Sequence, residues 1–166
     1  MKLRIEPLSR SHDRKRFDCG QTDLNQYLYR TARQHGEKGI AKTFVVVSPD
    51  APGAILGFFT LAACEVRVEK LPRSYAKKFP SRIPAIKLAR LAVATDRQGA
   101  GLGQRMMLNA MKRVLRVDRE LGVAGFFVDA KDDTAASYYR QFGFIPLPDN
   151  PLELFLPMAS VCNAFA

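Results

Sequence analysis

The feature that most constrains this 166-residue chain is a run of alternating glycines, Gln98-Gly99-Ala100-Gly101-Leu102-Gly103, set between two stretches of different periodicity. Before it, Ala85 to Ala94 is apolar and suited to a strand. After it, Leu102, Met106, Ala110, Val114, Val117 and Leu121 recur every three to four residues, which predicts a helix of about five turns. Amides at a helix N-terminus point outward without partners, and glycines let an anionic ligand approach the backbone, so this junction suits a phosphate, the alternative being a strand-to-helix turn that merely requires glycine. It is neither of the two commonest phosphate loops. A dinucleotide fingerprint needs a third glycine where the chain has Gln104, and a P-loop needs Lys followed by Ser or Thr.

The rest of the chain is organised around that junction. Lys2 to Leu8 alternates and reads as a first strand. Asp23 to His35, with Thr22 as N-cap and Gly36 as C-cap, reads as one amphipathic helix. Ile40 to Val47 and Ala54 to Val68 form a hairpin about the turn at Pro49 to Gly53. Leu71 to Pro84, with three prolines among basic residues, reads as irregular or briefly helical. Beyond the long helix, which Gly122 ends, come a buried strand at Ala124 to Ala130, a short helix at Thr134 to Phe142, and strands at Phe144 to Leu147 and Leu152 to Met158. The order β, α, β, β, β, α, β, α, β, β predicts one α/β (α+β) domain over residues 1–166, a mixed, mostly antiparallel sheet flanked by helices.

Charge narrows the partners. The chain carries 26 Lys and Arg against 16 Asp and Glu, a formal net charge of +10. Eight basic residues lie between Arg67 and Arg90 against the single acid Glu69, and Arg105, Lys112, Arg113, Arg116 and Arg119 line the long helix. Two such clusters favour a polyanion, and nucleic acid in particular. No run approaches the roughly 18 apolar residues of a membrane span. No apolar segment follows the basic N-terminus, so no secretory leader is expected. Three widely spaced cysteines fit reduced thiols in a cytoplasm, and two histidines are too few for a multi-histidine metal centre.

Two motifs in the right order carry a resemblance. Gln98, Gly101 and Gly103, following Leu91-Ala92-Val93, match Gln-x-x-Gly-x-Gly. Asp132 to Phe144 is similar to the segment Asn-x-x-Ala-x-x-x-Tyr-x-x-x-Gly-Phe. Together they resemble the GCN5-related N-acetyltransferase (GNAT) superfamily. The resemblance implies acetyl-CoA as donor, with its pantetheine arm paired to Leu91, Ala92 and Val93. Its pyrophosphate is then wrapped by Gln98, Gly99, Ala100, Gly101, Leu102, Gly103 and Gln104, with a further contact at Asp132, where the family usually has Asn. Over Phe17 to Pro157 the chain further resembles the GNAT toxins of bacterial toxin-antitoxin systems. It does so through Phe17-Asp18-Cys19-Gly20, Asp23-Leu24, Tyr27-Leu28, Thr43-Phe44-Val45 and Leu88 to Val93. That narrower resemblance implies acetylation of the α-amine of aminoacyl-tRNA, a ribbon-helix-helix antitoxin, a homodimer and a cytoplasmic setting. Lys77, Lys78, Arg82, Arg90, Arg113 and Arg116 are then the candidate tRNA contacts, since phosphate neutralisation dominates such affinity.

The chemistry needs an unprotonated amine, a polarised thioester and a proton for the departing thiolate. The family pattern selects Tyr139 as the acid, with Tyr138 as packing, and a phenol near pKa ~10 is expected to serve a thiol near ~8.5. The strand backbone at Leu91 to Val93 is placed to offer an N–H to the developing oxyanion. No carboxylate lies on Ala85 to Ala94, where relatives that acetylate lysine carry a base. An α-amine next to an ester has a lowered pKa, so a water or no dedicated base is expected to suffice, with Glu65 and His35 as lesser candidates. A GNAT acting on a protein amine or a small polyamine, and a non-catalytic RNA-binding module of the same fold, are the alternatives.

Overall fold

The computed structural model describes residues 2–166. The strands are β1 (Arg4–Pro7), β2 (Lys42–Val47), β3 (Gly57–Arg67), β4 (Arg82–Val93), β5 (Gly125–Asp129), β6 (Ile145–Leu147) and β7 (Asn150–Pro157). The helices are α1 (Thr22–Gln26), α2 (Ala32–Glu37), α3 (Arg73–Ala76), α4 (Leu102–Glu120), α5 (Asp133–Arg140) and α6 (Met158–Asn163). The strands hydrogen-bond in the order β1-β2-β3-β4-β5-β7-β6, a seven-stranded, mostly antiparallel sheet of the kind expected.

The chain contacts fall into two compact units. The first runs through Ala62 and takes in Ala89–Ala110; the second is Ala63–Leu88 with Met111–Ala166. In the first unit β1 runs antiparallel to β2, and β2 to β3, with Phe44 opposite Phe59. Its core gathers Phe17, Cys19, Tyr27, Leu28, Val45, Val47, Phe58 and Ala92. In the second, β4 pairs parallel with β5 (Ile86 beside Phe126, Leu88 beside Val128), and β7 runs antiparallel to both β5 and β6. Leu71, Ile83, Ala85, Phe127, Leu147 and Phe155 pack beneath it, with the Phe127 and Phe155 rings stacked at 4.8 Å.

Several boundaries differ from the expected ones. The single helix over Asp23 to His35 is broken: a π-helical segment, Tyr27–Thr31, divides α1 from α2, and the Ala32 N–H reaches back five residues to the Tyr27 carbonyl. Thr22 is the first helical residue, with Gln21 as N-cap, and Gly36 lies inside α2. β3 begins at Gly57, later than the apolar run. β4 starts three residues early and includes Pro84. The missing N–H is tolerated because pairing to β5 begins only at Ile86, and the Pro84 carbonyl accepts from Ala124 N at 2.9 Å. Leu121 is 81% exposed and beyond α4, whose buried stripe instead widens to include Met107, Met111 and Leu115. The terminal helix α6 has no counterpart in the expected order of elements.

Gly125 yields a stability prediction. A Cβ there would collide with the Phe155 ring and come within 2.7 Å of the Leu156 carbonyl oxygen. Gly125→Ala is therefore expected to destabilise the chain by about 1–3 kcal/mol, the scale of overpacking. A lower denaturant midpoint at unchanged slope is the check.

Candidate active site

In the first unit, β4 ends at Val93, a 3-10 turn covers Thr95–Arg97, and α4 begins at Leu102. Gly99 (φ +79°) and Gly101 (φ +81°) both lie in the left-handed region, which disfavours any residue with a side chain. Nothing stands within 4 Å of where either Cβ would be, so the loop's flank is open to a ligand. Leu102 is buried and anchors the start of α4, while Ala100 and Gln104 are exposed. The 19-residue helix has no acidic residue in its first turn, so no carboxylate of that turn competes for its positive dipole end and the amides of Leu102, Gly103 and Gln104. Ala92 is buried in the core, while Leu91 and Val93 are half-buried beside it on β4. Gln98 differs from a simple ligand contact: its Nε2 donates to the Val93 carbonyl at 3.0 Å and to the Cys19 carbonyl at 3.1 Å.

In the second unit, Asp132 is the N-cap of α5, accepting from Ala135 N at 2.8 Å. A cap asks only for an acceptor, so Asp fills the position as well as the family's Asn. Tyr138 packs edge-on against Phe142 (5.3 Å) and Tyr139 (5.5 Å), and Tyr139 against Phe144 (6.0 Å). Burial, with Tyr138 adding to it, pushes the Tyr139 phenol up to about 12. That corrects the expected value near 10: the phenol stays protonated throughout the working pH range and is a weaker acid than the free side chain.

The expected bases are engaged elsewhere. Glu65 is exposed and ion-paired to Arg82 at 2.9 Å. His35 shares a 3.1 Å hydrogen bond with the Tyr27 hydroxyl in the last turn of α2. β4 carries no carboxylate over its full length. The six candidate tRNA contacts divide. Arg90 stacks on the buried Tyr27 ring, 4.4 Å from its centroid, and donates to the Ala89 carbonyl. Arg113 is half-buried, its pKa lowered by desolvation and by Arg116. Lys77, Lys78 and Arg116 are exposed, and among the described residues no carboxylate lies within ion-pair distance of them. The Arg82–Glu65 pair is solvent-exposed on both sides and so holds weakly. Lys87, one of the eight basic residues between Arg67 and Arg90, pairs with Asp129 across the β4–β5 ladder.

The order along the chain of a strand, an open glycine loop, a long helix and a capped helix bearing a tyrosine is that of an acetyltransferase of the GNAT class. The chain belongs to that family: the acetyltransferase (GNAT) domain matches residues 40–146. Its relatives are narrower in kind. It is 31% identical over 151 residues to the tRNA-acetylating toxin of Mycobacterium tuberculosis (strain ATCC 25618 / H37Rv), covering 91% of this chain and 89% of that protein. The solved structure of AtaT complexed with acetyl-methionyl-tRNAfMet matches with a TM-score of 0.92 at 32% identity, over 99% of this chain and 100% of that one. A tyrosine-to-phenylalanine mutant of KacT matches with a TM-score of 0.93 at 30% identity, over 99% and 100%.

Proposed function

We propose that this chain is an acetyl-CoA-dependent N-acetyltransferase toxin that acetylates the α-amine of aminoacyl-tRNA, blocks translation and is neutralised by a cognate antitoxin. The observation that carries this reading is the likeness, over nearly the whole chain, to proteins that acetylate or bind charged tRNA. Related structures include AtaTR bound with AcCoA and AtaT bound to the C-terminus of the antitoxin AtaR. A ribbon-helix-helix antitoxin, a homodimer, a cytoplasmic setting and action of residues 1–166 as a single domain complete the proposal. No helix of the described residues is long and apolar enough to cross a membrane.

In this reading the loop amides from Gly99 to Gln104 hold the pyrophosphate, and the backbone of Leu91 to Val93 receives the pantetheine arm. The α-amine attacks the thioester carbonyl carbon, the C–S bond breaks, and one proton leaves nitrogen while one reaches sulfur. Tyr139 donates the proton to sulfur. A phenol near 12 is about 3.5 units above a thiol near ~8.5, so outright transfer is uphill by about 5 kcal/mol. Tyr139 therefore gives up its proton only as the acylated nitrogen gives up its own, and no tyrosinate accumulates.

Incubating the protein with labelled acetyl-CoA and, in parallel, aminoacyl-tRNA, a lysine peptide and spermidine is the direct test. Label is expected on the aminoacyl-tRNA alone. Neutralising Lys77 with Lys78, and separately Arg116, is expected to weaken tRNA binding and to flatten its log-log salt dependence by about one unit per contact removed. Acetyl-CoA affinity should stay unchanged. Transfer to spermidine, or improved transfer after neutralisation, would mark a cationic acceptor instead.

A further inference from the structure

The segment Phe17-Asp18-Cys19-Gly20 lies outside the matched GNAT region, which begins at residue 40, and it is tied to the glycine loop at two points. The Asp18 carbonyl accepts from Thr95 N at 2.9 Å, and the Cys19 carbonyl accepts from Gln98 Nε2 at 3.1 Å. These two bonds hold the two ends of the turn that immediately precedes Gly99. Gln98 also donates to the Val93 carbonyl at 3.0 Å, so one side chain joins the end of β4, the glycine loop and the N-terminal segment.

The segment is itself rigidly built. Asp18 Oδ1 accepts from Gly20 N (2.8 Å) and Asn25 Nδ2 (3.0 Å), and Asn25 Oδ1 accepts from Cys19 N (2.9 Å). Those two donors, the Gly20 amide foremost, hold the Asp18 carboxyl below the usual carboxylate range. Gly20 adopts φ +85°, which lets the chain turn back over Thr95, and a Cβ there would lie 3.6 Å from Thr95 Cγ2. Phe17 and Cys19 are each 6% exposed and seat the turn in the core. Every bond in this network lies within the first unit.

We propose that Asp18–Gly20, braced by Asn25, is a positioning latch that sets the geometry of the glycine loop through Thr95 and Gln98, and so sets acetyl-CoA affinity without touching the cosubstrate. The inference rests on the reading of that loop as the pyrophosphate site. The hydrogen-bond inventory fits a positioning role: the side-chain amide of Gln98 spends both its N–H groups on two carbonyls and has no side-chain donor left to aim at a phosphate.

Calorimetry with acetyl-CoA on the full chain tests it. Gln98→Ala and Asn25→Ala should each raise Kd about tenfold, the worth of roughly one hydrogen bond, and the double variant should be little worse than either alone because both act through one device. Asp18→Leu should share the loss, while Asp18→Asn, which keeps the acceptor, should bind as the parent does. In turnover the change should appear in KM for acetyl-CoA, with kcat at saturation and KM for the acceptor unmoved. Gln98 is exposed, so its variant keeps the fold even if Asn25→Ala does not. A lower melting temperature with Kd unchanged would reduce the network to a structural role and overturn the latch. Additive losses would give Gln98 a phosphate contact of its own and overturn it too. Gly101→Asp is the control for the underlying reading: if it loses binding while Gln98→Ala does not, the latch alone fails, and if Gly101→Asp still binds, the pyrophosphate reading fails and takes the latch with it.

Discussion

Replacing Tyr139 by Phe is expected to leave acetyl-CoA affinity in place and to lower turnover by about 10²-fold or more, the scale of losing a positioned general acid. The ring contact with Phe144 survives the change, so packing is kept and only the hydroxyl goes. Because burial puts the phenol at about 12, the parent enzyme should show no loss of rate from tyrosine ionisation anywhere below pH ~11. A fall in rate at lower pH would then report the ammonium form of the acceptor. The same shift bears on stability. A phenol raised from 10 to about 12 in the folded chain stabilises it fully below pH 10, and that contribution is lost as pH rises from 10 through about 12. Tyr139→Phe should flatten this alkaline decline. Single-turnover kinetics and a calorimetric Kd together decide the matter, and near-parental transfer by the folded variant would remove Tyr139 from the mechanism.

Gly101→Asp is expected to abolish acetyl-CoA binding while leaving the chain folded. Two effects add: a side chain at φ +81° strains the loop by about 1–2 kcal/mol, and a carboxylate is placed in the loop proposed to hold the pyrophosphate. Gly101→Ala separates them. Nothing stands within 4 Å of the added Cβ, so alanine brings the backbone strain alone. If the loop holds an anion, alanine should weaken binding modestly and aspartate eliminate it. Equal effects would make the glycine only a turn residue, and circular dichroism confirms the fold in both variants.

What was legible in the sequence was whatever neighbouring residues decide among themselves. The strand, glycine and helix junction could be read because positive φ is a local demand met by Gly99 and Gly101, and because α4 repeats its apolar residues with helical period. Tyr139 could be picked out because α5 and the Gly143-Phe144 turn form one continuous motif. The break in the first helix was not legible: its residues show steady helical spacing, and the π segment shows only in the Ala32 N–H reaching the Tyr27 carbonyl. The same holds for the site's electrostatics. The Gln98 side chain has no visible partner in the sequence until Cys19, 79 residues away, is in view. Arg82 reads as a free cation until β3 brings Glu65 to it, and Arg90 until α1 and the π segment present Tyr27. Tyr139 has an ordinary phenol's acidity until its surroundings remove the water. Conformational preference, helical period and charge count are properties of short stretches of chain, so the sequence by itself determined most of the order of elements, the glycine junction ahead of α4 and the candidate acid that the family motif marks. Pairing and desolvation are properties of distant residues brought together, so only the tertiary structure decided which partners Arg82, Arg90 and Gln98 take and how far burial raises the Tyr139 phenol.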